Sequence, residues 1–450
     1  MTCHMQAHVT PVDPIPHYSY KYTEERLPLI DTQGNGLVLL LCIPRSGSSL
    51  STVMLQNHSR IFATQEMWFL MNLVDLSKAD SRAYGGSSII RQFYQAMVSE
   101  DVFEKACRSF ALEIYNGFLE GSGADFIVDK SPRYYYMLEW LDRLFPQSRC
   151  IHLQRNPLSI AASFKKVDRH TGESFDLIQS LNHPKLHMKA IDLTLGLTRL
   201  NDYFAEPHPL AYELKYEQLV MKPQEEMEKL CGFLGLSYEQ GMEQYGQFVH
   251  STKADMFYSM GVGDPFLSSH QEPHQDSVNN WKNILDRQEV ELYCRVLGAD
   301  LFERMGYGEQ LQEAERWTGV QFQAEPDQEV LERLQQQLTA ATECRWQPNY
   351  RLRAPIDGVE NRSSLQSSPD SQEAAKIDPT LAAMATIRQL RAALRAADQR
   401  LERGYSERER LKKQLDSVQS KLKRIKSWIP FGHQISAWAS QRKIVRGGKK

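Results

Sequence analysis

The stretch LVLLLCIPRSGSSLSTVMLQN, residues 37–57, decides the fold of this 450-residue chain. It opens with an uninterrupted apolar run over residues 37–43, which predicts a buried strand. Pro44 and Gly47 then interrupt the run, and the apolar residues that follow return at helical spacing. We therefore expect a strand, a tight turn and a helix.

The turn in this stretch has the features of a phosphate-binding loop. The first N–H groups of a helix lack intrahelical partners, and the helix dipole adds partial positive charge there. Arg45 supplies a cation and Gly47 allows close backbone approach, while Ser46, Ser48 and Ser49 supply hydroxyl donors. An ordinary serine-rich helix cap is the alternative. No Lys follows the glycine, which disfavours a nucleoside-triphosphatase loop.

The order of strand, charged turn and helix occurs twice more along the chain. Residues 126–128 form an apolar strand that ends in DKSPR, and residues 149–154 form one that ends in RNP. This alternation predicts an α/β fold with a parallel sheet flanked by helices. Ligands of open parallel sheets bind at the carboxyl ends of the strands, so the charged residues there are candidates for a site.

These segments, in this order, resemble the sulfotransferase superfamily that uses 3′-phosphoadenosine 5′-phosphosulfate (PAPS), in particular the branch of protein-tyrosine and bacterial glycan sulfotransferases. IPRSGSSL resembles the 5′-phosphosulfate loop of that family. RNPLSIAAS resembles its 3′-phosphate motif, here Arg155 and Ser163. KYEQLVMKP followed by LCGFLGL resembles its tyrosine-bearing strand end, here Tyr216. The resemblance covers residues 36–305 and implies a P-loop-like sheet.

The resemblance also implies which residues bind PAPS, without a metal. The expected set is Arg45, Ser46, Gly47, Ser48, Ser49, Leu50, Arg155, Ser163, Tyr216 and Lys282. A nucleotide with a phosphate group at each end needs two anion sites, and arginine recognises phosphate oxygens with two parallel hydrogen bonds. A surface ion pair is the alternative for Arg155, and a core position is the alternative for Tyr216.

Sulfuryl transfer needs a base for the acceptor hydroxyl and cations near the leaving phosphate. A short strand at residues 60–64 delivers Gln65 and Glu66 to a strand end, and the resemblance implies that Glu66 is the base. It also implies that Lys130 touches the transferred group, and Arg45 completes the catalytic set. Gln65 departs from the acidic pair of the tyrosine-sulfating relatives. The alternatives are a plain surface carboxylate for Glu66 and a solvated lysine for Lys130, paired with Asp129.

A polar stretch rich in Gly, Pro, Ser and His covers residues 261–280. A loop of that length is either a functional lid or a disordered segment. In sulfotransferases that use a histidine as the base, an Arg-Lys-Gly sequence precedes a Trp-Lys segment, and this stretch lacks that Arg-Lys-Gly. His270, His274 and Ser277 are nevertheless candidates for nucleotide or acceptor contact, together with Lys282.

The chain divides into five regions by composition. We expect an N-terminal arm (1–35), a catalytic domain (36–310), a flexible linker (311–375), a coiled coil (376–427) and a basic aromatic tail (428–450). One heptad register holds the apolar residues of the coiled coil, although Gly404 and Arg408 interrupt its seam. We expect the coiled coil to mediate self-association or docking to a partner helix.

The net charge of −3 hides a split between an acidic body and a basic end. Residues 376–450 hold 19 Lys/Arg and 6 Asp/Glu, whereas the rest of the chain holds 34 and 50. Cations interleaved with tryptophans suit an anionic membrane surface. Folding back onto the acidic body is the alternative, and nucleic acid is not expected because nothing else in the chain is basic.

Cysteine usage and the first residues indicate the compartment. Seven cysteines without a CxxC pair argue against a disulfide framework or a zinc site. The first twenty residues have few apolar side chains and three prolines, which is unlike a signal peptide or membrane anchor. We expect a cytoplasmic protein, peripheral at the inner membrane surface if the tail binds there.

The sequence therefore predicts a PAPS-dependent sulfotransferase. We expect its acceptor hydroxyl to lie on a carbohydrate or an envelope glycolipid, because a cytoplasmic enzyme with a membrane-seeking tail meets such precursors. Three alternatives stay open. They are a protein-tyrosine O-sulfotransferase, a phosphotransferase that uses ATP and Mg²⁺, and a non-catalytic coiled-coil scaffold that keeps only the nucleotide fold.

Overall fold

The computed structural model describes residues 30–76, 86–172, 174–246, 264, 270–342 and 344–352. The chain divides into two compact units, Met1–Val359 and Glu360–Lys450. The predicted coiled coil and basic tail lie outside the described residues, as do residues 1–29 of the predicted arm and most of residues 261–269.

A five-stranded parallel sheet forms the centre of the first unit. Its strands are β1 Leu37–Leu41, β2 Ile61–Glu66, β3 Phe126–Lys130, β4 Arg149–Gln154 and β5 Ala211–Lys215. Their order across the sheet is β2-β3-β1-β4-β5. This sheet confirms the predicted parallel α/β architecture. Because β1 lies between β3 and β4, the loop after β1 stands at the point where the strand order reverses, where such sheets bind ligands.

Helices cover both faces of the sheet and extend beyond it. They are α1 Ser48–Gln56, α2 Phe69–Asp75, α3 Ser87–Met97, α4 Glu100–Ser122, α5 Leu138–Leu144, α6 Pro157–Thr171, α7 Leu177–Leu181, α8 Met188–Ile191, α9 Leu197–Tyr203, α10 Tyr216–Met221, α11 Pro223–Leu234, α12 Arg287–Leu297, α13 Ala299–Arg304, α14 Gly308–Thr318 and α15 Gln328–Thr342. Short 3₁₀ segments cover Tyr134–Met137 and Asn280–Asn283, and a π-helical turn, Asp192–Gly196, joins α8 to α9.

Two apolar layers hold the sheet, and β1 contributes to both. Val38 and Leu40 pack with residues of α1 and α11 on one face. Leu37, Leu39 and Leu41 pack with residues of α4, α5 and α9 on the other face. All five β1 residues are buried. A strand covered on both faces needs an apolar side chain at every position, which explains the continuous run in the sequence.

The folded body continues past residue 310, so the predicted linker is wrong for residues 311–342. Leu311 of α14 and Leu334 and Leu338 of α15 are buried in the same core as the sheet helices. Further along, the Trp346 indole donates to the backbone oxygen of Tyr136 at 3.1 Å. Apolar residues recur every four positions between Gln and Glu in α15, and this sparse helical stripe suffices to bury one face.

Three further features concern the described part of the chain only. Six cysteines lie in it, all as free thiols, and five of them are buried. No group of three or more His, Cys, Asp or Glu side chains there is arranged to hold a metal ion. None of the helices described is both long and apolar enough to traverse a lipid bilayer.

Candidate functional site

The carboxyl ends of β1, β2 and β3 meet at a cleft of about 190 Å³. The residues that line it are Pro44, Arg45, Gly47, Ser48, Ser49, Glu66, Trp68, Pro132, Arg133 and Asp264. The cleft therefore brings the predicted phosphate loop together with the predicted base, Glu66. Trp68, Arg133 and Asp264 also line it, although the sequence patterns assigned none of them a role.

The loop after β1 turns sharply because two of its residues adopt left-handed backbone angles. Arg45 has φ 72° and Gly47 has φ 100°. A Cβ atom on Gly47 would lie 2.3 Å from a ring carbon of Tyr216, so only glycine fits there. No side chain caps the start of α1. The first N–H groups of this helix are thus available to an anion.

The Arg45 side chain bridges two groups at the mouth of the loop. Its Nε donates to the Ser163 hydroxyl at 3.3 Å, which brings two predicted donor-binding residues into contact. Its Nη2 forms an ion pair with Asp264 at 3.1 Å. Both side chains are partly exposed, at 14% for Arg45 and 30% for Asp264. An anion that binds Arg45 would therefore compete with the Asp264 carboxylate.

Arg155 lies buried behind this loop, and none of the described residues forms an ion pair with it. Its Nη1 donates to the Arg45 carbonyl at 3.0 Å, and its Nη2 donates to the Ser277 carbonyl at 2.8 Å. The guanidinium also lies 4.1 Å from the centre of the Tyr216 ring. Burial lowers the pKa of Arg155, and Nε has no hydrogen-bond partner among the described residues. The two predicted phosphate sites are therefore contiguous.

Glu66 and Lys130 face each other across neighbouring strand ends. Their Cα atoms are paired in register between β2 and β3, and Lys130 Nζ lies 3.3 Å from Glu66 Oε1. The Lys130 side chain is fully buried, so the solvated alternative is wrong. Burial lowers the pKa of Lys130, while the charge of Glu66 opposes that change. Asp129 instead accepts hydrogen bonds from Tyr115 and Tyr134.

The Glu66 carboxylate is held on both oxygens yet stays accessible from the cleft. Its second oxygen, Oε2, accepts a hydrogen bond from the Trp68 indole at 2.8 Å. The side chain remains 29% exposed. This arrangement fixes the direction of the carboxylate while leaving it within reach of an acceptor hydroxyl, as a general base requires.

Trp68 and Arg133, like Asp264, are cleft residues to which the sequence patterns assigned no role. Trp68 adopts a left-handed backbone with φ 59°, and its N–H donates to the Ser131 hydroxyl at 3.1 Å. Arg133 binds Asp192 through Nε and Nη2, at 2.9 and 2.8 Å. Asp192 is fully buried in the π-helical turn and stands 59 positions further along the chain. The only signal in the sequence was that both residues follow strand ends.

Tyr216 lies beneath the loop that follows β1. Its ring separates Gly47 from the Arg155 guanidinium and is only 7% exposed. Burial raises the pKa of its hydroxyl. Tyr216 thus has the buried position of a core residue, and its ring also limits the space at Gly47 in the turn.

The remaining predicted contacts lie around the cleft or away from its lining. Ser46 is buried and Leu50 is half-buried, and neither lines the cleft. Lys282 is also absent from the lining, since its ammonium pairs with Glu313 of α14 at 2.5 Å. The His270 and His274 rings lie against each other at a tilt of 33°, with ring centres 3.8 Å apart.

Comparison with known proteins identifies the same family as the motifs. Residues 38–240 match the profile of the sulfotransferase family. Nodulation protein NoeE of Sinorhizobium fredii is 29% identical over 295 residues, which is 62% of this chain and 67% of NoeE. Protein-tyrosine sulfotransferase 2 of Gallus gallus is 27% identical over 230 residues, which is 49% of this chain and 54% of that protein. A solved sulfotransferase domain from the curacin biosynthetic pathway gives a TM-score of 0.41 at 21% identity, covering 66% of this chain and all of that domain.

Proposed function

We propose that this chain, a PAPS-dependent sulfotransferase whose residues 38–240 belong to the sulfotransferase family, transfers the sulfuryl group to a hydroxyl group of a carbohydrate or an envelope glycolipid. The observation that carries the proposal is the cleft itself. It is lined by a partly exposed carboxylate, Glu66, and by Arg45, and the buried Lys130, which does not line it, pairs with Glu66. A base with two cations close to it is what sulfuryl transfer to a hydroxyl requires.

The residues around the loop have the chemistry to hold PAPS, which supplies the sulfuryl group and a phosphate as leaving group. The first turn of α1 has no side-chain cap, so its N–H groups suit the 5′ end. Arg155 keeps a buried Nε without a partner in the described chain, which suits a further phosphate oxygen. We propose that residues 45–50 bind the 5′ end and that Arg155 and Ser163 bind the 3′-phosphate.

In this proposal, each cleft residue has one role in the transfer. Glu66 accepts the proton of the acceptor hydroxyl, and the indole of Trp68 keeps its carboxylate in place. Lys130 and Arg45 stabilise the negative charge that develops on the leaving phosphate. Burial lowers the pKa of Lys130, and the charge of Glu66 opposes that change by favouring the protonated form.

One observation supports a carbohydrate rather than a peptide acceptor. Gln65 replaces an acidic residue in the resemblance to the tyrosine-sulfating relatives, and it is buried with neither amide atom hydrogen-bonded in the described chain. It therefore supplies no charge to the cleft. A peptide tyrosine remains the second candidate, supported by the protein-tyrosine sulfotransferase relatives.

Location and partners are proposed from the sequence alone. We propose a cytoplasmic enzyme that associates through residues 376–427 and contacts an anionic membrane surface through residues 428–450. Both regions lie outside the described residues. Vesicle co-sedimentation of the full chain, with anionic and with neutral lipids, tests the membrane contact, and binding to neither type would contradict it.

Incubation of the full chain with labelled PAPS and each acceptor class tests the proposed function. We expect label on a glycan or glycolipid, and label on a tyrosine peptide alone would reverse the order of the candidates. Glu66→Gln should lower kcat by about 10²- to 10⁴-fold, because the base is lost. Its affinity for adenosine 3′,5′-bisphosphate (PAP) should stay unchanged.

A matched control and three contrary outcomes complete this test. Glu225→Gln alters an exposed carboxylate of α11 and should leave kcat unchanged. Unaltered activity of Glu66→Gln would remove the base from the mechanism, and a wild-type chain that binds PAP without transferring label to any acceptor would indicate the scaffold. Binding of ATP with Mg²⁺ but not of PAP would indicate a phosphotransferase.

A further inference from the structure

We propose that Trp68 and Arg133 form the acceptor subsite, and that this subsite takes an uncharged sugar ring and rejects acidic acceptors. The inference rests on the proposed function and deepens it, since it names the charge of the acceptor and the residues that select it. It comes from the position of the two side chains in the cleft and from the charges that surround them.

Both residues lie on the acceptor side of the base. They belong to the segments that follow β2 and β3, whereas the phosphate loop follows β1. The Trp68 indole donates to Glu66, and the Arg133 guanidinium lies 5.9 Å from the centre of the indole ring. All three residues line the same cleft. A hydroxyl held at Glu66 therefore has its neighbouring atoms against Trp68 and Arg133.

Trp68 offers a fixed aromatic surface. Its left-handed backbone is unfavourable for a residue with a bulky side chain, and hydrogen bonds from its N–H to Ser131 and from its indole to Glu66 hold it there. The side chain is half-buried, so part of the ring remains available. An aromatic ring with one polar edge suits the apolar C–H face of a sugar whose hydroxyls project sideways.

Arg133 offers one guanidinium nitrogen to a ligand. Its Nε and Nη2 are bound to the Asp192 carboxylate, which also accepts a hydrogen bond from the Tyr135 hydroxyl at 2.7 Å. The described residues provide no hydrogen-bond partner for Nη1. The side chain is 25% exposed while Asp192 is fully buried, so the guanidinium is fixed from behind. Nη1 can therefore donate to an oxygen of the acceptor.

The charges around the cleft compensate one another before any substrate binds. Arg133 pairs with Asp192, Lys130 pairs with Glu66, and Arg45 pairs with Asp264. PAPS adds further negative charge beside Arg45. An acidic acceptor would then find no uncompensated cation near Glu66 and would be repelled by its carboxylate. A neutral hydroxyl or amide oxygen needs only the Nη1 donor, so the subsite favours an uncharged ring.

Two glycosides that differ at one carbon test the charge preference. We use 4-nitrophenyl β-glucoside and 4-nitrophenyl β-glucuronide, because the second replaces a CH₂OH group by a carboxylate. With PAPS and the full chain, kcat/KM should be at least about tenfold higher for the glucoside, the difference expected from one unpaired charge. Equal or preferred use of the glucuronide, or of an acidic tyrosine peptide, would overturn the proposal.

Binding without turnover separates this proposal from the proposed function. Saturation-transfer NMR on the complex with PAP reports whether each glycoside binds. Binding of the glucoside without any sulfation would leave the subsite standing and refute the proposed transfer. Binding of neither glycoside, while PAP binds normally, would refute the subsite itself.

Two variants assign the effect to the named residues, and a third serves as the control. Arg133→Gln combined with Asp192→Asn avoids a buried unpaired carboxylate, and it should raise the KM for the glucoside about tenfold. Trp68→Leu should also raise the KM for the glucoside about tenfold. In both, the KM for PAPS should stay within about twofold, as it should in the surface control Arg304→Gln. An equal rise in both KM values would indicate a merely structural role.

Asp192→Asn alone gives the sharpest outcome. The amide keeps an oxygen for Tyr135 and Arg133 but removes the charge that compensates the guanidinium. We expect the preference for the glucoside over the glucuronide to shrink several-fold, with the melting temperature measured alongside to confirm folding. An unchanged preference in a folded variant would contradict the role of Asp192.

Discussion

The Arg155 guanidinium donates a hydrogen bond to the backbone carbonyl of Arg45, 3.0 Å away, and thereby joins the loops that follow β4 and β1. The two arginines at the proposed ends of PAPS are thus parts of one connected unit. Tyr216 completes it, because its ring contacts the Arg155 guanidinium on one side and limits the space at Gly47 on the other.

Arg155→Lys should weaken PAP binding at least tenfold. Lysine has one nitrogen, so it cannot donate to both carbonyls, stack on Tyr216 and still reach a phosphate oxygen. Isothermal titration calorimetry with PAP measures the change, and Arg304→Lys at the surface serves as the control. Unchanged affinity would show that Arg155 does not bind the nucleotide.

Asp264→Asn should strengthen PAP binding by about fivefold, since a partly exposed ion pair is worth up to about 1 kcal/mol. The Asp264 carboxylate competes with the nucleotide for Arg45, and an asparagine cannot neutralise the guanidinium. Isothermal titration calorimetry with PAP measures this change in affinity. Asp276→Asn removes an exposed carboxylate beside His274 and controls for charge alone. Weaker binding of the Asp264 variant would mean that this residue supports the nucleotide.

Gly47→Ala should destabilise the protein more than Gly123→Ala. Both glycines have positive φ, so both variants strain the backbone, but only the Gly47 Cβ would meet another group, at 2.3 Å from the Tyr216 ring. Overpacking of this kind costs about 1–3 kcal/mol beyond the shared strain. Urea denaturation of both variants measures the difference, and equal losses would contradict the close approach.

His152 should make the protein lose stability in acid. Burial lowers its pKa to about 3, whereas an unfolded histidine titrates near about 6.5. Between these values the unfolded state binds more protons, so stability falls as the pH falls, by about 2 kcal/mol at pH 5. His152→Phe keeps the stacking on Phe204 but cannot titrate. Denaturation curves from pH 7 to 5 should be flatter for the variant, and an equal slope would exclude His152 as the cause.

The prediction of the domain boundary failed for a physical reason. Residues 311–342 are rich in Gln and Glu, a composition typical of linkers. Yet Val330, Leu334 and Leu338 recur at four-residue spacing, which is enough to bury one side of a helix against the body. The average composition of the segment hides these apolar positions, whereas the spacing of the individual residues would have shown them.

The sequence by itself determined the parallel sheet, the tight loop after β1 and the charged strand ends, because each depends on local patterns of apolar, glycine and charged residues. Only the tertiary structure decided which charges compensate one another. The pairs Arg45 with Asp264 and Arg133 with Asp192 join residues far apart in the chain. It also decided that Lys282 lies outside the cleft lining, paired with Glu313. Ion pairs form between side chains that packing brings together, and no local pattern specifies such a partner.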